Sequence, residues 1–147
     1  MTDNEYNDIS TEIAWILSGA LPDVVVICEE PIMIAVEMAP TIGVYHEGFE
    51  IPENGQPLAA GRQQRELLKF NISCWSYHLD IKELMRSRNA LLLRARRALM
   101  KNRSLNDMVT SSWEVGAEMA SSRVEDALGF VSGAELQFRV DFLNTTL

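Results

Sequence analysis

A chain of 147 residues, 47 % hydrophobic and 23 % charged, is long enough to bury a core without disulfide or metal staples. Two cysteines, Cys28 and Cys74, exclude a disulfide framework, and no apolar run approaches the roughly 20 residues that span a bilayer. The start, MTDNEYNDIS, lacks the basic segment and apolar run of a secretory signal, so one domain (1–147) in a reduced cytosolic compartment, away from membranes, is expected.

The net charge of −8 is unevenly placed. Residues 1–61 hold eleven acidic side chains and no Lys or Arg, whereas residues 62–147 hold all thirteen basic residues against ten acidic ones. Such a split is either a solvated surface or half of a head-to-tail contact, in which one subunit's acidic region meets the next one's basic one. Heterologous contacts of that kind close into rings.

Residues 4–19 read as a helix: Tyr6, Ile9, Ile13, Ile16, Leu17 and Ala20 fall on a stripe about 100° wide, and Gly19 and Pro22 close it. Trp15 projects off that stripe, either covering a loop or anchoring a subunit contact. Asp23–Glu30 (DVVVICEE) and Pro31–Pro40 (PIMIAVEMAP) are β-branched-rich strand runs, the second placed near a sheet edge or at a strand start by its prolines. Thr41–Tyr45 continues into another short strand. Then comes a polar stretch from His46 to Glu66 with an Asn54-Gly55 turn signal, long for an ordinary connection. It is read as a mobile arm or functional loop, Gly48–Glu66 being ordered only against a neighbour.

From Leu67 to Leu79 the pattern alternates, Phe70, Ile72 and Cys74 on one face and Lys69, Asn71 and Ser73 on the other. Beyond Cys74 the polar side turns aromatic at Trp75 and Tyr77, as though a second layer or a neighbouring subunit covers that end. Asp80 and Glu83 have capping-box spacing, and a helix runs from Ile81 to about Asn102. Its apolar face is Ile81, Leu84, Leu91, Leu92, Ala95 and Leu99; Arg86, Arg94, Arg97 and Lys101 lie opposite. Arg88 falls mid-face, read as snorkelling past the core edge, with a buried acid partner as the alternative. Met108–Met119 reads as a strand with Val109, Trp113, Val115 and Ala117 on one face, and Ala120–Gly133 as a turn-rich connection. Ala134–Leu143 alternates strictly, Leu136, Phe138, Val140 and Phe142 buried and Glu135, Gln137, Arg139 and Asp141 wet. The prediction is an α+β fold, order α-β-β-β-α-β-β, with two helices on one face of a mainly antiparallel sheet and the long polar loop between the third and fourth strand runs.

Chemistry finds little footing. GxSxG, P-loop, HExxH and GxGxxG patterns are absent. Cys74 and His78 share a strand face, but four residues of strand separate them by roughly 13 Å, too far to chelate one ion. Cys74 is read as a core filler and His78 as a strand-end residue near the Asp80 cap. Catalytic residues, metal and cofactor are all predicted to be none. Seven of the thirteen basic residues lie between Arg86 and Arg103, which invites a nucleic-acid reading. A net charge of −8 opposes it, and an acidic neighbour suits the charge split better.

The element order, the GVYHEG segment ahead of a polar loop, the ISCWSYHLD strand-to-cap junction, the Leu/Arg helix and the last alternating strand together resemble tail terminator proteins of tailed bacteriophages and the related head–tail joining (neck) proteins. The likeness covers nearly the whole chain as a pattern. It implies a structural virion subunit, assembled in the host cytoplasm, that forms a ring, commonly a hexamer. Such a ring ends tail-tube polymerisation and joins tail to head. Its partners would be other copies of the chain, the tail tube protein and connector or neck proteins, with duplex DNA passing through the lumen without sequence reading. A head-side completion protein, or a non-viral adaptor or nucleic-acid module using the basic helix, stays open. The expected subunit interface comprises Arg86, Arg94, Arg97, Lys101, Trp15, Trp75 and Tyr77, with Arg94, Arg97 and Lys101 meeting an acidic neighbour.

Overall fold

Helix α1 (Tyr6–Ala20) forms because its apolar residues recur at helical spacing: Ile9, Ile13 and Leu17 are fully buried, with Tyr6 and Ile16 packed beside them. Ala20, placed on the same stripe from the sequence, is exposed. The Leu21 N–H still reaches the Leu17 carbonyl at 2.8 Å, and Pro22, which has no N–H to donate, ends the run. A computed structural model describes residues 6–29, 40–52, 63–123 and 129–145. Most of the expected Pro31–Pro40 strand lies outside these described residues.

Five strands make one sheet: β1 (Val25–Ile27), β2 (Thr41–Glu50), β3 (Gln64–His78), β4 (Ser111–Arg123) and β5 (Phe130–Asn144), in the spatial order β1-β2-β3-β5-β4. Helix α2 (Ile81–Met100) connects β3 to β4. The α+β class and the mostly antiparallel sheet match the expectation, and the order matches in part: β1 and β2 stand for two of the three strand runs expected ahead of the polar loop. Three of the four strand pairings are antiparallel; β1 alone runs parallel, to β2. Strands β3 and β5 pair without interruption from Gln64↔Asn144 to His78↔Phe130. Register then dictates the core. Ile42 and Val44 align with Cys74 and Ile72, which align with Ala134 and Leu136, while Phe70 faces Phe138. These side chains share one sheet face, and both helices cover it.

Boundaries moved where pairing outweighs local composition. His46–Glu66, expected as a loop, begins and ends as strand: β2 continues to Glu50 and β3 starts at Gln64, so the connection falls between the second and third described strands. A bulge between His46 and Gly48 keeps the ladder going, and Gly48 takes it up at φ 138°, a conformation side chains disfavour. Likewise β4 starts three residues later than Met108 and extends past Met119, and Ala120–Gly133 is strand at both ends rather than a turn-rich connection. Val109 is buried ahead of β4, whereas Trp113, Val115 and Ala117 are exposed. A second bulge, between Glu114 and Gly116, displaces Val115 from strict alternation. Asp141, expected to be wet, is buried against Arg65, whose Nε and Nη2 donate to its two oxygens at 2.8 and 2.6 Å.

Asp80 caps α2 as expected, its Oδ1 accepting the Lys82 N–H at 2.9 Å. The reciprocal half of the capping box is different. Glu83 turns to Arg86, and the Asp80 N–H donates to His78 Nδ1 at 3.0 Å. Leu84, Leu91, Leu92, Ala95 and Leu99 are buried, while Ile81 is exposed at the first position of the helix. Arg88 does not snorkel. It is buried, and among the described residues its guanidinium donates to Ser132 Oγ at 2.9 Å and Asn89 Oδ1 at 3.2 Å, with no carboxylate partner. After α2 the chain turns through three consecutive left-handed residues, Leu105, Asn106 and Asp107 (φ 50°, 59° and 65°). Complete burial of Leu105, and Asn106 bonds to Asn102 and to Glu12 of α1, hold this costly conformation.

Candidate subunit interface

Helical spacing puts the cations of α2 on its outer side, and the fold engages them unequally. Arg94 forks onto Asp23, donating from Nη1 and Nη2 at 2.9 and 2.6 Å. The guanidinium bonds hold the Asp23 carboxyl below its ordinary range. Arg86 pairs with Glu83 one turn earlier at 3.0 Å. Arg97 and Lys101 stand exposed at the C-terminal turn, where cationic side chains also complement the helix dipole. Of the four expected interface cations, two are therefore partly neutralised within the subunit, and Arg97 and Lys101 are presented outward.

The aromatic members occupy other surfaces. Trp15 is 68 % exposed on α1. Trp75 and Tyr77 lie on the sheet face away from the helices, since the intervening Ser76 is on the helix side. Trp75 lies flat over Gly133, so close that a Cβ there would meet the indole at 2.6 Å. Its Nε1 is buried with no hydrogen-bond partner among the described residues. Tyr77 packs on Gly129, which has φ 123°. On the helix side, a cleft of about 280 Å³ is lined by Ser87, Ala90, Leu91 and Arg94 of α2 together with Pro40 and the end of β3 at Ser76 and Tyr77. The seven expected residues are thus spread over three surfaces: Trp15 on α1, the four cations along the outer side of α2, and Trp75 with Tyr77 on the helix-free sheet face.

Two features escaped sequence reasoning. Arg96, one residue off the counted stripe, bridges α2 to β4 by donating to both Glu114 oxygens at 2.7 and 2.5 Å, and this pairing lowers the Glu114 carboxyl below its usual value. Helical counting could have flagged Arg96 as lateral, but its partner depends on tertiary pairing. Glu66, only 1 % exposed, is the other. Its Oε1 accepts from Tyr6 Oη at 2.8 Å and from Asn144 Nδ2 at 3.2 Å, joining α1, β3 and β5. Beside them the His46 ring sits between Tyr6 and Phe70 (centroids 4.8 and 5.1 Å). Burial lowers its pKa, and its Nε2 has no partner among the described residues. Cys74 is wholly buried, which pushes its thiol up to about 12, as suits a core filler. Among the described residues no three His, Cys, Asp or Glu side chains gather to hold a metal ion, and no helix is long and apolar enough to cross a membrane.

No protein-family model and no curated protein matches the chain. Among solved structures, it is similar to a chain of the virion of a native gene transfer agent particle (13 % identity, 95 % of both chains covered, TM-score 0.47). It is also similar to the sheath/tube terminator of an extracellular contractile injection system, PVC, in its extended state (10 % identity, TM-score 0.48). That alignment spans 97 % of the present chain but 58 % of the other.

Proposed function

We propose that this chain is a structural subunit of the phage-tail type. In this role it assembles head to tail into a ring that ends the tail tube and joins it to the head, with duplex DNA passing through the lumen. The observation that carries the proposal is where the fold puts charge. Elements drawn from the base-free residues 1–61, α1, β1 and β2, occupy one end of the sheet, whereas every Lys and Arg belongs to the residues that follow, with Arg97 and Lys101 of α2 exposed. A subunit with unlike ends adds to its own kind in one direction, the condition for ring closure. The sequence pattern shared with tail terminators supports the same role and implies six subunits.

The net charge of −8 favours DNA as a passenger over DNA as a ligand, because an acidic wall does not retain phosphates. Internal pairing of Arg86, Arg94 and Arg96 weakens the nucleic-acid alternative further. Negative-stain imaging and native mass spectrometry of the purified chain test the proposal. A closed ring with a central hole is expected, and Arg97→Glu should raise the concentration needed for assembly roughly tenfold or more. A persistent monomer in the presence of tail-tube protein, with steeply salt-dependent binding of duplex, would instead make α2 a phosphate-binding element.

A further inference from the structure

We propose that His46 makes the first turn of α1 an acid-sensitive latch: on gaining a proton it releases Tyr6 from the sheet, and that turn opens while the rest of the fold stays paired. The latch works within one chain, whether or not copies assemble. His46 lies in β2 on the helix side of the sheet, in register with Phe70 of β3 and beside the bulge at Gly48. Its ring is held between Tyr6 and Phe70, with centroids 4.8 and 5.1 Å away. Its Nε2 is buried with no partner among the described residues. A neutral imidazole fits that place. A proton on Nε2 would sit there without an acceptor, and burying an unpaired charge costs far more than burying a neutral polar group. Burial accordingly depresses the His46 pKa, outweighing the Gly48 backbone bond and the Glu66 carboxylate that favour the charged ring.

The surroundings decide how the strain is relieved. Glu66 is the charge that acts on the ring, and its Oε1 already accepts from Tyr6 Oη at 2.8 Å and from Asn144 Nδ2 at 3.2 Å. Around Tyr6 stand Phe49 of β2 and Phe142 of β5, both uncharged. Lys69, paired with Glu50, and Asp141, paired with Arg65, alternate onto the other sheet face. Glu47 in the bulge and Asp8 on α1 are exposed. Water is therefore the remaining source of solvation, and Tyr6 is what covers the ring from α1. The rest of that helix stays anchored, because Ile13 and Leu17 are fully buried and Asn106 donates to Glu12. An open turn lets His46 take its proton at the ordinary 6.5, whereas the closed turn holds the proton off. Closure is thus favoured above that value and is lost as pH falls below it. Opening also breaks the Tyr6–Glu66 bond, which sets the resistance that protonation must overcome.

Hydrogen exchange on the full-length chain tests the latch. The amides of Ser10, Thr11 and Glu12 bond within α1 to the carbonyls of the turn that opens. With labelling times scaled for the pH dependence of chemical exchange, their protection should fall at least roughly tenfold between about pH 7.5 and about pH 5. Amides of the β3–β5 ladder should keep theirs. His46→Phe keeps a ring against Tyr6 and removes the proton site, so α1 protection should then be equal at both pH values; His46→Gln serves if that variant does not fold. A wild-type first turn equally protected at both values overturns the latch. So does a ladder that loses protection in step with α1, which is unfolding of the whole domain. A loss that persists in the His46 variant overturns the assignment to this histidine and moves it to the Glu66 carboxylate.

Discussion

Replacing Tyr6 by Phe removes one of the two hydrogen bonds that the side chain of buried Glu66 accepts. Glu66 is 1 % exposed, and its Oε1 has two donors, Tyr6 Oη at 2.8 Å and Asn144 Nδ2 at 3.2 Å. Burial first, and the Glu66 carboxylate after it, push the Tyr6 phenol above its ordinary pKa, so it remains a donor across the working range. A hydrogen bond to a charged group contributes about 1.5–3 kcal/mol. The ring itself loses nothing, since Phe keeps the stacking on His46 and the edge contact with Phe142. Tyr6→Phe should therefore cost about 2 kcal/mol, which lowers Tm by roughly 4–8 °C for a domain of this size. Urea unfolding should show a lower midpoint at an unchanged slope. Repeated in a Glu66→Gln background, the same change should cost at most about 1 kcal/mol, the worth of a neutral bond. A cost below about 0.5 kcal/mol, or equal costs in both backgrounds, would refute the claim that a buried carboxylate ties α1 to the sheet.

Two further outcomes follow from neighbouring packing. Burial depresses His46 below its ordinary 6.5, with Gly48 backbone and Glu66 opposing the shift. The unfolded chain then binds more protons than the folded one as pH falls through 6.5, so this group's share of stability is present above that value and lost below it. His46→Phe should flatten the loss of urea stability between about pH 7.5 and about pH 5, and parallel wild-type and variant curves would exclude the effect. Gly133→Ala places a methyl 2.6 Å from the Trp75 ring and should cost about 1–3 kcal/mol while shifting the indole fluorescence; an unchanged spectrum and midpoint would mean that Trp75 does not rest on that strand.

Periodic elements were legible from residues alone. The stripe of α1, the Asp80 cap, the inner face of α2 and the alternation of β5 depend on spacing, and spacing is local. What stayed hidden depends on partners. Gly48 and the polar residues around it look like loop until β3 lies alongside, and Gln64–Glu66 becomes strand only because β5 runs to Asn144. Arg88 on an apolar face suggested escape to solvent, but the Ser132 hydroxyl that receives it sits 44 residues away. The candidate interface divides the same way. Arg97 and Lys101 could be placed outward from helical counting, whereas the capture of Arg94 by Asp23, across 71 residues, could not. The parallel start of the sheet also had no local signal, because β1 is three residues long and its direction is set by its partner.

The position of β5 has a bearing on how an incomplete subunit behaves. The last described strand to be synthesised is an interior strand, with β3 on one side and β4 on the other. Until it emerges, β4 has no hydrogen-bonded partner among the described strands, and β3 has an open side along all fifteen of its residues. Closing the β3–β5 ladder joins residues as far apart as Gln64 and Asn144, a long-range step of the kind that slows folding. A chain cut short before Phe130 therefore cannot present a supported β4 edge. A truncated product would therefore leave both strands without the partner that holds them side by side in the sheet.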